Sequence, residues 1–207
     1  AIVRIGDCER GGLEVNKGNQ LKRLQAIYKR GSCRAFQDKQ VPQHILKEII
    51  TAGTRAPASG NMQPWEFLII DDLDMKDKLC SCTFSGFYSK GAKNQSWVKK
   101  VPIIIVPCVN YKRTVARYGD LAYKWAVIDT ASAVQNMLLA ATELGIGSCW
   151  GGGIIEDNVR KLLQLPSYVE PLGLIPMGYP AEKTEQKHKI DPKWLTHHNV
   201  YNVPYFD

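Results

Sequence analysis

Long hydrophobic runs are missing from this chain of 207 residues: the longest, Val101 to Val109, falls well short of the roughly 20 apolar residues that a spanning helix needs. The amino end carries charge from Arg4 onward and has no apolar segment of the signal-peptide kind. No membrane association is therefore expected, and the cytoplasm is the expected location. Cysteine is sparse. Cys8, Cys33, Cys80, Cys82, Cys108 and Cys149 are too dilute for the disulfide framework of a small secreted domain, and reduced thiols fit better. Cys80 and Cys82 lack a second pair at ligand spacing, and His197-His198 lacks partners, so no metal site is expected. Acidic residues are outnumbered, 20 Asp and Glu against 27 Lys and Arg, which leaves a net charge of +7 and a pI near 9.1. The cations are scattered and no basic helix is interleaved with aromatics, so nucleic acid is not an expected partner. An anionic small molecule suits the same charge.

What is present is 44% hydrophobic residues, enough for one substantial core in a single domain. Residues 1–18, broken by Gly6, Gly11, Gly12 and Gly18, read as an irregular arm, and residues 19–207 as the domain. A first helix is expected from Asn19, with Leu21, Leu24, Ile27 and Tyr28 at helical spacing and a stop at Gly31. A second begins near Pro42 and puts Ile45, Leu46, Ile49 and Ile50 on one side. Trp65–Ile70 and Ile103–Val109 read as strands, with variable helix and loop between them. From Leu121 to Leu144 apolar residues surround a helical axis on nearly every side, interrupted by Lys124, Asp129 and Glu143. A helix with so little polar surface should be buried, partly by another subunit. A short strand near Ser148–Trp150, a helix over Glu156–Leu165 and a strand over Leu172–Met177 complete the order. Helices and strands mix without regular alternation, so the expected class is α+β rather than a doubly wound sheet.

Two segments carry chemistry. Arg30-Gly31-Ser32-Cys33-Arg34-Ala35-Phe36 places two guanidinium forks and a hydroxyl within five residues, a donor set suited to phosphate. Surface ion pairs would use the same arginines. Ala56-Pro57-Ala58-Ser59-Gly60-Asn61-Met62-Gln63-Pro64-Trp65 offers small residues and amides, suited to a flat ligand; as local structure it is a turn after a helix. Further on, Trp150-Gly151-Gly152-Gly153 lets a backbone approach a planar group because no side chain intervenes. Gly145-Ile146-Gly147 is no dinucleotide fingerprint, since Trp150 stands where the third glycine belongs. Cys149 has no visible activator and reads as a buried apolar filler.

In order and spacing these segments resemble the nitroreductase family of flavin enzymes, whose pattern is Arg-x-Ser-x-Arg-x-Phe, a helix, and then Pro-Ser-x-x-Asn-x-Gln-Pro-Trp. The likeness continues through Cys149–Gly153 and Met177-Gly178-Tyr179-Pro180-Ala181-Glu182, and spans about residues 19 to 190. It implies a nitroreductase-like three-layer sandwich with a mixed, mostly antiparallel sheet and a long buried helix in the core of a homodimer. It also implies FMN as cofactor and NADH or NADPH as reductant, with hydride passed through the flavin to a small acceptor such as a nitroaromatic or quinone. By the resemblance Arg30 and Ser32 hold the phosphate, Arg34 reaches the pyrimidine edge of the ring, and the amide near Gly152 faces the ring nitrogen that carries hydride. Pro57, Ala58, Ser59, Asn61 and Gln63 would reach across the dimer to the partner's flavin. Lys187 and Lys189 stand where relatives return late cations to the phosphate; a solvated tail is the alternative. Ala58 replaces a hydroxyl residue common in relatives, Gly31 a second arginine, and Cys33 an aliphatic residue. Tyr111, Arg113 and Tyr118, with Phe84, Phe87 and Tyr88, are further candidates for lining the pocket. Rival readings are a flavin-fragmenting or reductive-dehalogenase relative, a flavin carrier without activity, and a basic nucleic-acid binder.

Overall fold

The computed structural model describes residues 25–85, 93–184 and 186–206. The expected arm over residues 1–18 lies outside these, as do Leu21 and Leu24 of the first helix and the candidates Phe87 and Tyr88. The described part of that helix, α1, covers residues 25–29 and ends one residue before Arg30.

Helix α2 (Gln43–Gly53) starts just after Pro42 and stops where glycine allows close approach. A Cβ on Gly53 would lie 2.6 Å from Met137 Cγ of the long helix α5, so the two backbones cross tightly there. Strand β1 (Trp65–Ile70) is followed by α3 (Leu73–Ser81), whose first turn is capped by the Asp72 carboxylate accepting from the Met75 amide at 2.8 Å. Strand β2 (Ile103–Asn110) is buried along almost its whole length. It runs straight into α4 (Tyr111–Tyr118), which precedes α5 (Ala122–Glu143). The chain closes with β3 (Gly147–Ser148), α6 (Glu156–Leu162), β4 (Val169–Pro171) and β5 (Ile175–Gly178).

The sheet runs β1-β2-β5-β3, with β4 alongside the far end of β2, and each of these pairings is antiparallel. Register is set by β2: Ile70 lies opposite Ile104, and Ile105 opposite Ile175. Because side chains alternate across a strand, β2 feeds two cores. Ile103 and Ile105 pack with Ile49, Val134, Met137 and Leu138 under α2 and α5. Ile104, Val106 and Cys108 pack with Leu79, Val98, Val159 and Leu174 under α3 and α6. Helix pairs on both faces of one sheet make the expected three-layer α+β sandwich.

Helix α5 is the longest element, about 33 Å at 1.5 Å per residue. Its inner face is fully buried through Ala126, Ala133, Val134, Met137 and Ala141, whereas Tyr123 and Ile128 are each 52% exposed. The helix expected to be hidden all round is thus covered on one side within the chain, and its open side carries Tyr123 and Ile128 beside Lys124 and Gln135. The expected helix over Glu156–Leu165 ends at Leu162, and the strand expected from Leu172 begins at Ile175. Among the described residues no helix is long and apolar enough to cross a membrane.

Candidate cofactor-binding site

The basic segment is held as an extra thread beside the sheet. Ser32 bridges Ser148 of β3 in parallel, the Cys33 amide donates to the Ser148 carbonyl at 2.9 Å, and the Gln37 amide donates to Tyr179 O at 2.8 Å. The alternation of an extended segment then decides what points where. Cys33 is buried among the sheet ends, and the flanking Ser32 and Arg34 are exposed. Burial pushes the Cys33 thiol above its usual pKa, partly offset by its hydrogen bond to Ala35 O. This thiol is a packed, protonated group.

On the outer side Arg30, Gly31, Ser32 and Arg34 share a pocket of about 270 Å³ with Gln186, Lys187 and Lys189. Gln186 ties the late segment to the early one by donating to Ile27 O at 3.3 Å and to Arg30 O at 3.5 Å. Cations separated by more than a hundred and fifty positions therefore converge on one cleft. Among the described residues the ion pairs are Lys78–Asp74, Lys99–Asp77 and Arg113–Glu66, so none of the cationic chains of this pocket is neutralised by a carboxylate at contact distance. Such a set of guanidinium, ammonium and hydroxyl donors fits a phosphate group. A neighbouring cavity of about 310 Å³ continues past Arg34 to Glu182, Lys183 and Thr184.

The glycine segment leaves β3 directly. Gly151 exchanges both backbone hydrogen bonds with Leu174 at 2.9 Å, and Trp150 Nε1 donates to Leu172 O, also at 2.9 Å. A Cβ at Gly153 would meet Phe84 O at 2.4 Å, so this glycine is required by packing. Gly152 differs. Nothing lies within 4 Å of where its Cβ would point, and its amide has no hydrogen-bond partner among the described residues. An open face with a free N–H is what a flat ligand with an acceptor atom can use. Ser148 brings this segment beside Ser32 and so beside the cationic cleft.

The Pro57–Gln63 loop is held elsewhere. Its backbone turns through a short 3₁₀ segment, Ser59–Asn61, with Gly60, Asn61 and Gln63 at φ of 54°, 58° and 47°. Left-handed backbone is costly for residues with a Cβ, and three outside groups hold it. Asp129 of α5 accepts from the Ser59 amide at 2.8 Å and from its hydroxyl at 3.2 Å. Arg117 donates to Gly60 O at 3.1 Å and Arg113 to Gln63 O at 2.8 Å, both from α4. Pro57, Asn61 and Gln63 remain exposed, and Ala58 is half-buried beside Ala56, Trp65 and Ala133. Among the described residues no hydrogen bond joins this loop to the cationic cleft or to the glycine segment of the same chain.

Sequence reasoning offered Arg113 and Tyr118 only as lining residues; here Arg113 anchors the loop and Tyr118 packs against Gly60. Tyr111 instead donates to Glu170 Oε2 at 3.2 Å, and burial with that carboxylate raises its pKa. Asp129 and Arg117 were not singled out for the site. A carboxylate inside an otherwise apolar helix was the available signal.

The pattern that defines the nitroreductase family matches residues 27–179. A Methanothermobacter thermautotrophicus protein with the provisional name NADH dehydrogenase/NAD(P)H nitroreductase is 32% identical over 180 residues, covering 85% of this chain and 86% of its own length. The FMN reductase (NADPH) of Bacillus subtilis is 27% identical over 194 residues, covering 87% of this chain and 74% of that protein. Among solved structures, a Parabacteroides distasonis protein of the first provisional name superposes with a TM-score of 0.74 at 30% identity, covering 87% of this chain and 99% of that one.

Proposed function

The chain belongs to the nitroreductase family, and from that footing we propose that it is an NAD(P)H-dependent oxidoreductase working in the cytoplasm as a homodimer with FMN. The redox chemistry is what FMN supplies when bound: hydride is taken from NADH or NADPH and passed, in a ping-pong sequence, to a small acceptor such as a nitroaromatic or quinone.

The chain's own part is binding, orientation and charge. Arg30, Ser32, Lys187 and Lys189 hold the phosphate, with Gly31 leaving room between them. Arg34 lies at the end of the cleft toward the ring and offsets negative charge at its pyrimidine edge, where fixed cations act most strongly. Trp150, Gly151 and Gly153 set the backbone that presents the Gly152 N–H to the ring. Pro57, Ala58, Ser59, Asn61 and Gln63 belong to the partner's site. That assignment is supported by the absence, among the described residues, of hydrogen bonds from the loop to its own chain's cleft and by the exposed Tyr123 and Ile128 on the open side of α5. No side chain has to act as nucleophile, and Cys33, Cys80, Cys82, Cys108 and Cys149 are all buried, which suits packing rather than attack on a substrate.

The observation that carries this reading is the gathering of Arg30, Arg34, Lys187 and Lys189 around Ser32, with none of the four in an ion pair among the described residues. Titration of the flavin-free protein with FMN and with riboflavin tests it. FMN should bind at least about a hundredfold more tightly, the phosphate adding roughly two charge-assisted bonds. Equal affinities for the two would contradict it.

A further inference from the structure

Asp129 is the only acidic side chain among the described residues that is buried, at 6% exposed. It sits within α5 between Ile128 and Thr130, and no cation lies at ion-pair distance from it among the described residues. Burying an unpaired carboxylate is unfavourable, and an apolar residue would serve the packing of α5 better. Both oxygens are nevertheless occupied, and both by one residue of the loop, Ser59. The bonds fall just before the left-handed residues Gly60, Asn61 and Gln63.

We infer that Asp129 is the positioning residue of this loop: its carboxylate grips Ser59 and fixes the strained Gly60–Gln63 backbone in its flavin-facing form before any cofactor arrives. The inference rests on the functional reading above, in which this loop completes the flavin site. Arg117 and Arg113 hold the following carbonyls from α4, so the loop is fastened at its start by a buried anion and further on by exposed cations. Arg113 also pairs with Glu66, whereas Asp129 has no such second commitment. Loss of its carboxylate leaves Ser59 without either bond and lets the loop relax.

The test compares full-length wild type, Asp129→Ala and Asp129→Asn in flavin-free form, titrated with FMN and followed by quenching of flavin fluorescence. Asp129→Ala should weaken FMN about tenfold or more. Asp129→Asn should stay within about threefold, because its oxygen still accepts from the Ser59 amide and its NH₂ donates to the Ser59 hydroxyl. A role in core packing alone predicts that Asn and Ala variants move thermal stability but not FMN affinity. Asp129→Ala at wild-type affinity overturns the inference, and so does Asp129→Asn failing as badly as Asp129→Ala. Hydrogen exchange of the wild-type loop supplies a second reading should Asp129→Ala not fold. Peptides holding the Ser59 and Asn61 amides should be protected without FMN, and protection gained only on adding FMN overturns the inference. A wild type that takes up no FMN at all would instead remove the functional reading itself.

Discussion

Gly60 shows how much of the site is decided by single atoms. Its φ is 54°, and a Cβ there would lie 2.2 Å from Tyr118 Oη and 2.9 Å from Arg117 Nη1. Gly60→Ala therefore adds about 1 kcal/mol of left-handed strain to a contact that Tyr118 must move to relieve. Thermal unfolding should fall by several °C, at about 2 to 4 °C per kcal/mol for a chain of this size, and FMN affinity should fall with it. Arg34→Ala should lower flavin occupancy and slow reduction by NAD(P)H in anaerobic stopped-flow, because on the proposed reading it removes the cation at the ring's pyrimidine edge. Unchanged occupancy and rate would remove Arg34 from the site. Cys108 gives a prediction in pH. Burial, reinforced by the charge of Glu66, pushes its thiol up from 9.0 to about 12. Below pH 9 the thiol is protonated in both folded and unfolded chains, and its contribution is complete. Above that the unfolded chain sheds the proton first, so stability falls by up to about 1.4 kcal/mol per pH unit until the folded value is reached. Denaturant midpoints measured near pH 8 and near pH 10 should diverge less in Cys108→Ala than in wild type. The arginines of residues 30–34 were legible in sequence because residue type and spacing carry their chemistry. Asp129 was not, because Ser59 stands 70 positions away and only folding joins them.

Elements rich in apolar residues announced themselves, and elements made by their neighbours did not. Strand β2 reads as an apolar run that follows Pro102 and contains Pro107, and it is the strand that both cores share. Ile105→Ala removes packing from β2 against α5 and should cost about 2 to 5 kcal/mol, read as a lower denaturant midpoint at unchanged slope. Helix α5 was legible for the same reason, as an apolar helix with few charges. Helix α4, Tyr-Lys-Arg-Thr-Val-Ala-Arg-Tyr, has no comparable apolar content. It forms because the Asn110 side chain caps it at the Lys112 amide and because Arg113 finds Gln63 O and Glu66 across the chain, all tertiary events. Strand β4 is three residues ending in proline, too short to carry a period, and it exists by pairing with the far end of β2.

At the scale of the whole molecule the proposed reading gives the chain one half of its own site and one loop that serves its partner's. The basic segment pairs with Ser148 of β3 and the glycine segment follows the same strand, while the clamped Pro57–Gln63 loop hangs from α4 and α5. In the proposed dimer, two chains facing each other across the exposed side of α5 would bring each loop to the other's cleft. That arrangement predicts cooperative behaviour: conditions that separate the chains should release flavin, and added FMN should hold them together, since a ligand bound only by the pair stabilises it by mass action. The apolar pattern of α5 in the sequence already asked for a second covering surface, although the geometry of that cover lies beyond what one chain's periodicity specifies. Sedimentation of the purified protein, followed at once by protein absorbance and by flavin visible absorbance, tests the account most directly. The two signals should move together at twice the 23.2 kDa chain mass, with one flavin per chain that bleaches when NADH or NADPH is added without oxygen. A colourless species at the mass of a single chain, unstained by added FMN, would contradict it.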